Sequence, residues 1–518
     1  MEAGKALEAG AAPEGNRGST AWLGPGGVIL ALVAAHVACL ANYGYFRDEL
    51  YYVACGRRLA WGYVDHPPLV AVMAWLSEHL FGPSVQALRI IPLLLAVALI
   101  VIVTAIVRRL GGGPFAQLLA SVAIAIAPHY LFVFHYLSMN SAEIVLWAAA
   151  VWLLMIAIDT NRLWIWVALG VVFGVGLLNK HSMGFLAVAL AVGLLATNAR
   201  RVLRTPGPWM AAAIAAAIFT PHLVWQAQNG WPTLEFVRNA QAFKIADESP
   251  ASFIGQQCLL MQPLNAPIWI AGLWFLLARP PRKEWRLFGW AFLVLLLFFV
   301  AQQAKPYYLT PYYPVLLAAG AIAIERLSAR RRLARAAGVA LLTIGGAALA
   351  PLALPILPVE TFIAYSQRLG ITPSSGERHE LGVLPQHFAD MFGWEDLARR
   401  ISDVYQSLPE DEKSTARVFA RNYGQAGALE LFRGRYPLPP VISPHNNYWF
   451  WGPGPDGGTL IIIGGKPEEN RQAFEHVEEV ARTSCRLCMP YERNVPIYIG
   501  RGWKLPLNAI WPGQKRFI

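Results

Sequence analysis

The 518-residue chain is 56% hydrophobic and 14% charged, with a mean hydropathy of +0.40; an average soluble globular protein is about 25% charged. This composition excludes a wholly soluble protein and indicates a polytopic membrane protein with an appended soluble part. From Leu357 onward 18 basic and 18 acidic residues cancel, so the net charge of +11 lies in the apolar part, where loops beside membrane spans account for it better than nucleic-acid binding does.

Residues 1–24 are Ala/Gly-rich and polar and read as a disordered cytoplasmic N-terminus. The apolar run Val28–Leu40 lacks a clear cleavage site after it and reads as a retained first span rather than a signal peptide. Residues 43–87 form a long loop rich in chemistry: Asp48, Glu49, Asp65, His66, Arg47, Arg57, Arg58, Tyr51, Tyr52, Trp61 and Tyr63. Within it, Asp48–Leu59 and Leu69–Phe81 read as helices at the membrane surface, and three- and four-residue spacing puts Asp48, Tyr51 and Tyr52 on one face of the first.

Ten further spans follow from apolar length: Leu88–Val107, Pro114–Pro128, Ser141–Ile158, Leu163–Leu178, Met183–Thr197, Pro208–Trp225, Phe253–Leu277, Leu287–Ala301, Pro311–Ile324 and Ala336–Leu354. That makes about eleven. Their loops alternate. Arginines crowd at Arg108–Arg109, Arg162, Arg200–Arg204, Arg279–Arg286 and Arg326–Arg335, which the positive-inside bias assigns to the cytoplasm. The Asp48 loop, His129–Asn140, Asn179–His181, Gln226–Pro250 and Gln302–Tyr308 then face outward, and so does everything after the last span. Residues 357–518 read as a soluble α/β domain, with helices at Trp394–Leu408, Gln425–Arg433 and Arg471–Thr483 and strands at Arg417–Ala420, Leu460–Ile463 and Pro496–Ile499.

Lys180 and Lys305 lie at span ends on the outer side, against the charge bias. They read either as snorkelling anchors or as ligands for an anion such as a lipid phosphate. Six histidines at outer edges (His66, His79, His129, His135, His181, His222) leave a divalent metal open, but no ligand-like spacing favours one. The turn Arg421–Gly427 is an ordinary strand–helix turn or a phosphate-holding one. The run His445–Trp451 is core aromatics or a platform for sugar rings. Cys485 and Cys488 form a lone C-x-x-C, compatible with zinc, a disulfide or free thiols.

Taken together these residues resemble the membrane glycosyltransferases that use polyprenyl-phosphate sugars, the superfamily of protein mannosyltransferases and aminoarabinose transferases (family 39-like). The resemblance rests on Asp48-Glu49 after the first span, Gly62-Tyr-x-Asp-His-Pro-Pro-Leu69, Arg89 opening the next span, Gly174-x-Gly-Leu-Leu-x-Lys180, and Lys305-Pro-Tyr-Tyr followed by Tyr313-Pro314. It extends over residues 25–356. It implies the C-type glycosyltransferase fold and inverting transfer of a sugar from a polyprenyl-phosphate donor, of the undecaprenyl type, to an acceptor hydroxyl on a glycolipid, glycan or protein. The setting would be the outer face of a bacterial inner membrane.

In that reading Asp48 is the catalytic base and Glu49 orients the loop or an acceptor. Arg89, Lys180 and Lys305 bind the donor phosphate, while Tyr51, Tyr52, Asp65, His66, Asn140, Glu143 and Tyr307 contact donor or acceptor. Two departures stand out: where the family often carries an aspartate before the fourth span, Asn140 or Glu143 substitutes or the role is absent, and His66 takes the place of a basic residue before Pro-Pro. The appended domain is expected to govern the acceptor. The rival class is a non-catalytic transporter or scaffold for lipid-linked sugars; the lack of an internal repeat and the gathering of acids in one outer loop favour an enzyme.

Overall fold

The computed structural model describes residues 23–244, 248–373, 375 and 377–518. The expected disordered N-terminus falls mostly outside them; Leu23 and Gly24 already belong to the first helix. In chain order the principal helices of the membrane part are α1 (Leu23–Cys39), α2 (Arg47–Gly56), α3 (Leu69–Phe81), α4 (Val85–Arg109), α5 (Pro114–Ala125), α6 (Met139–Thr160), α7 (Leu163–Asn179), α8 (Met183–Leu195), α9 (Pro206–Gln228), α10 (Pro232–Asn239), α11 (Pro250–Leu260), α12 (Ala266–Ala278), α13 (Arg286–Ala301), α14 (Tyr313–Leu327) and α15 (Arg332–Leu349).

Every expected span is helical. Among the described residues six helices are long and apolar enough to cross a membrane, or up to eight if each of two bent pairs counts as one; α1, α5 and α7 are shorter apolar helices. The run Phe253–Leu277, expected as one span, is two helices bent by 95°. Gln262 there has φ +73° and Pro263 follows it. Pro263 has no N–H to continue the ladder, so the chain turns. The segment from Pro306 to Leu327 is the most enclosed of the candidate spans and that from Arg332 to Leu352 the least; the first runs through the bundle and the second lines its rim.

The arginine-rich loops meet at one end. Asp159 pairs with both Arg109 and Arg282, Glu325 accepts from the backbone of Gly113 and Ala116, and Arg335 donates to the Glu325 carbonyl. The loop of residues 43–87, Lys180 and Lys305 lie at the other end, where the C-terminal part docks.

That part begins with α16 (Val359–Arg368) and continues through α17 (Trp394–Gln406) and α18 (Tyr423–Phe432). A five-stranded sheet has the order β2-β1-β3-β5-β4, with β1 (Arg417–Phe419) parallel to β2 (Val441–Ile442) and β3 (Leu460–Ile463). β5 (Pro496–Trp503) runs antiparallel to β3 and to β4 (Phe474–Arg482). The expected helix Arg471–Thr483 is therefore corrected: Pro467–Ala473 is a short helix and the rest is β4. Phe474, Val477 and Ala481 mimic a helical spacing, but a bulge between Glu479 and Ala481 shifts the alternation, and pairing with β5 decides the conformation. Cys485 and Cys488 are joined as a disulfide.

Helix α2 is not the surface helix expected. Arg47 and every residue from Glu49 to Gly56 are buried, because α3 covers one side and α18 the other. A Cβ on Gly427 would lie 2.8 Å from the Leu50 carbonyl oxygen, and one on Gly56 2.9 Å from that of Ala71, so glycine at both positions permits the close crossings.

Candidate active site

Asp48 is the second residue of α2 and only half-buried. Its Oδ1 accepts from the Tyr423 hydroxyl at 2.8 Å; among the described residues nothing donates to its Oδ2. Asp48 is not the helix cap. That task falls to Glu49, which accepts from the Phe46 N–H at 2.8 Å and from the Leu137 N–H at 3.0 Å. Glu49 also pairs with Arg89 at 3.3 Å, and both side chains are fully buried. Arg89 gives its remaining bonds to the carbonyls of Leu40, Asn42 and Gly44 and to His135. Expected at a phosphate, Arg89 is instead a strut tying the loop to the bundle.

Beside Asp48, the Tyr51 hydroxyl donates to Asp65 at 3.0 Å and accepts from the Asn447 N–H at 3.2 Å. Burial pushes the Asp65 carboxyl above its usual range, against the pull of His66 and the Tyr51 hydrogen bond. His66 is fully buried, with Tyr63 stacked on it at 4.7 Å and Tyr51 and Tyr52 edge-on. Its Nδ1–H donates to the Pro67 carbonyl at 2.9 Å, leaving Nε2 as a buried acceptor without a partner among the described residues. Burial lowers its pKa, so the ring is neutral at pH 7 and does not supply the positive charge of the basic residue it replaces.

The second group forms around Lys180 at the end of α7. Its Nζ donates to Asn140 at 2.9 Å and Glu143 at 2.7 Å and faces the rings of Tyr307 and Tyr308 at 5.4 and 5.0 Å. Ser182 donates to the other Glu143 oxygen. Lys180, Tyr307 and the pair Asn140 and Glu143 thus come together from three separate stretches of sequence. Buried Tyr136 lies between this group and the first: Asp48 on one side and Asn140 on the other both act on its hydroxyl. Lys305, by contrast, points to Glu377 at 3.1 Å, which also takes Lys244 at 3.6 Å. Burial alone would raise the Glu377 pKa; Lys244, Lys305, a hydrogen bond from Gln386 and Arg47 outweigh it and hold the group at about 2. Arg57 and Arg58 are paired with Glu78 and Glu430.

Tyr423, Glu377 and Lys244 escaped the sequence reading. Tyr423 lies in the turn already singled out, but nothing in its surroundings announces a bond to a carboxylate 375 residues away. Of the two readings of the aromatic run, core aromatics or a sugar platform, the packing matches the first, and the run staples the domains together: Asn447 accepts from the Val64 N–H at 3.0 Å, Tyr448 is buried, and Trp451 lies under Arg58. His181 and His222 bond to each other at 3.0 Å, and among the described residues no three of His, Cys, Asp and Glu gather as a metal would require.

A bundle of apolar helices, a loop rich in ionisable groups folded under the C-terminal α/β domain, and lysines at the same end as a half-exposed aspartate define a membrane protein of the C-type glycosyltransferase fold. Its likeness is to the polyprenyl-phosphate-sugar glycosyltransferases, as the motifs implied: residues 65–225 match the family described as dolichyl-phosphate-mannose-protein mannosyltransferase. In structure the chain is similar to ArnT from Cupriavidus metallidurans bound to undecaprenyl phosphate, with a TM-score of 0.60 and 15% identity over 92% of this chain and 97% of that one. It is similar to the apo state of the same protein at 0.57 and 14%, over 90% and 96%. The Archaeoglobus fulgidus oligosaccharyltransferase AglB, in complex with an inhibitory peptide and a dolichol-phosphate, follows at 0.48 and 13%, over 79% and 63%. No curated protein sequence matches the chain.

Proposed function

We propose that the protein transfers a sugar from a polyprenyl-phosphate donor to an acceptor hydroxyl on the outer face of a bacterial inner membrane, with inversion at the anomeric carbon. The observation that carries this reading is a half-exposed carboxylate, Asp48, in a wall of buried aromatics that leads through Tyr136 and Asn140 to Lys180. The family match and the fold shared with a protein bound to undecaprenyl phosphate support the donor class.

The acceptor hydroxyl gives its proton to Asp48 as its oxygen bonds to the anomeric carbon. The bond from that carbon to the phosphate oxygen breaks, and its electron pair leaves with the polyprenyl phosphate. That leaving group is stable as an anion, so a second carboxylic acid of the kind a glycosidase needs is not required. Lys180 has a third N–H beyond those spent on Asn140 and Glu143 and offers it to the phosphate. Lys305 joins once Glu377 gives way. Glu49 and Arg89 act as positioning residues, holding the first turn of α2. Tyr51, Tyr52, Asp65 and His66 shape the acceptor side of Asp48, and Tyr307 the donor side. The arginine-rich end faces the cytoplasm by the positive-inside bias, which puts the outer domain, residues 357–518, outside.

Purified protein in lipid nanodiscs, given an undecaprenyl-phosphate sugar, should release undecaprenyl phosphate and form a product of opposite anomeric configuration. Flipping of the donor across proteoliposomes without cleavage would contradict this reading in favour of a transporter.

A further inference from the structure

Between the outer sheet and the membrane part lies a cavity of about 640 Å³ that no step above uses. Its floor is the carboxyl end of the parallel strands. The chain leaves β1 for β2 on one side, and β3 lies on the other, so the crevice opens where the strand order switches, the usual place for a ligand in such sheets. After β1 come Arg421, Asn422 and the N-terminus of α18. After β3 come Gly464 and Gly465 with φ of +76° and +87°, and a Cβ on Gly465 would lie 1.7 Å from Arg421 Nη2. Only glycine lets that guanidinium lie over the turn.

Arg47, Lys244, Arg421, Arg493 and Arg516 line the cavity; among the described residues no Asp or Glu side chain does, and the terminal carboxylate of Ile518 at its edge is taken by His445 at 2.8 Å. Arg47 is 7% exposed and, among the described residues, its Nε has no partner; the Nε of Arg421 and Nη2 of Arg493 are likewise buried and unpaired there. The rings of Tyr423 and Tyr491 flank Arg47 at 4.6 and 5.7 Å. Nearby acids are engaged elsewhere or at arm's length. Glu492 is buried and bonded to Asn422 and Gln425, Glu377 is shared by Lys244 and Lys305, Glu469 is 3.9 Å from Arg421, and Asp390 is bonded to Tyr491. Converging guanidinium groups with unspent donors are costly unless an anion fills the space between them.

We infer that this cavity is the acceptor's recognition site and takes a phosphate-bearing sugar head group, held by Arg47, Arg421, Arg493 and Arg516. Several guanidiniums around one space suit the doubly charged phosphate better than a single carboxylate. The volume admits a sugar phosphate with room for a neighbouring residue. Tyr423 joins this site to the chemistry: its hydroxyl holds Asp48 while its ring lies under Arg47. An acceptor anchored by its phosphate at the strand ends presents a hydroxyl to Asp48 across that ring. The acceptor role rests on the transferase reading; the binding does not.

The test titrates inorganic pyrophosphate into the full-length protein in phosphatidylcholine nanodiscs, without donor, by calorimetry. Saturable binding is expected, weakened about tenfold or more in Arg421→Gln and in Arg516→Gln and not weakened in Asp48→Asn. Arg516 is exposed, so its variant keeps the fold even if the other does not. No saturable binding, or wild-type affinity in both arginine variants, overturns the site. Repeating the titration in discs containing phosphatidic acid separates the sources: a weaker apparent affinity supports a lipid-borne phosphate, an unchanged one a soluble sugar phosphate. Because no turnover is read, failure here leaves the transferase reading to its own test.

Discussion

Adjacent residues in the active-site loop have opposite tasks. Asp48 is half-exposed beside a tyrosine hydroxyl, whereas Glu49 is sealed against Arg89. Glu49→Gln keeps the side chain's size but leaves the Arg89 charge unpaired where no water reaches, at a cost of roughly 3–5 kcal/mol. The melting temperature of the detergent-solubilised variant should fall clearly, while the rate per folded molecule should fall less than in Asp48→Asn; an unchanged melting temperature would contradict the strut. Lys180→Met combined with Glu143→Gln, which avoids stranding a buried carboxylate, should weaken donor-lipid binding about tenfold with little loss of fold, and equal donor affinity would reduce Lys180 to an anchor. Asp390 gives a pH dependence: burial raises its carboxyl from 3.8 to about 7 although Arg47 pulls the other way. The folded chain therefore keeps a proton that the unfolded chain releases, and stability drops as pH rises from about 4 to about 7. Asp390→Asn should flatten the fall in melting temperature across that window.

At the scale of elements, the docking of α18 on α2 explains why the C-terminal domain is more than an appendage. Gly427 admits the Leu50 carbonyl, and this crossing delivers the Tyr423 hydroxyl to Asp48. Gly427→Leu should pry the domains apart and lower transfer at least tenfold while each part keeps its helix content by circular dichroism; normal turnover would show that Tyr423 is dispensable. The spans were legible because twenty-residue apolar runs have few other uses, and the same runs put Lys180, Asn140 and Glu143 at span ends, but their mutual contacts depend on how the spans pack. Three things were not legible. The break at Gln262 depends on one local conformation, β4 depends on its partner strand, and the burial of α2 depends on a domain more than 350 residues away. Arg89 was misassigned for a related reason. A cation at a span start looks the same in sequence whether it meets a ligand or a buried glutamate.

At the scale of the molecule, one end gathers the arginine-rich loops around Asp159 and Glu325, and the other gathers the loop of residues 43–87, the two lysines and the outer domain. After Cys258, the half-exposed free cysteine, is replaced by serine, a cysteine at Asp411 should react with an impermeant maleimide in intact cells, and one at Arg331 should react only after lysis. Reaction at Arg331 in intact cells would invert the arrangement. The central claim is that a single carboxylate at the outer end drives sugar transfer. Its most direct test is single-turnover transfer by Asp48→Asn in nanodiscs, with donor binding measured on the same sample. Asparagine keeps the size and can still accept from Tyr423 but cannot take the proton. Unchanged donor affinity with a rate about a hundredfold lower or more is the predicted result; near-normal transfer would contradict it and remove Asp48 from the mechanism.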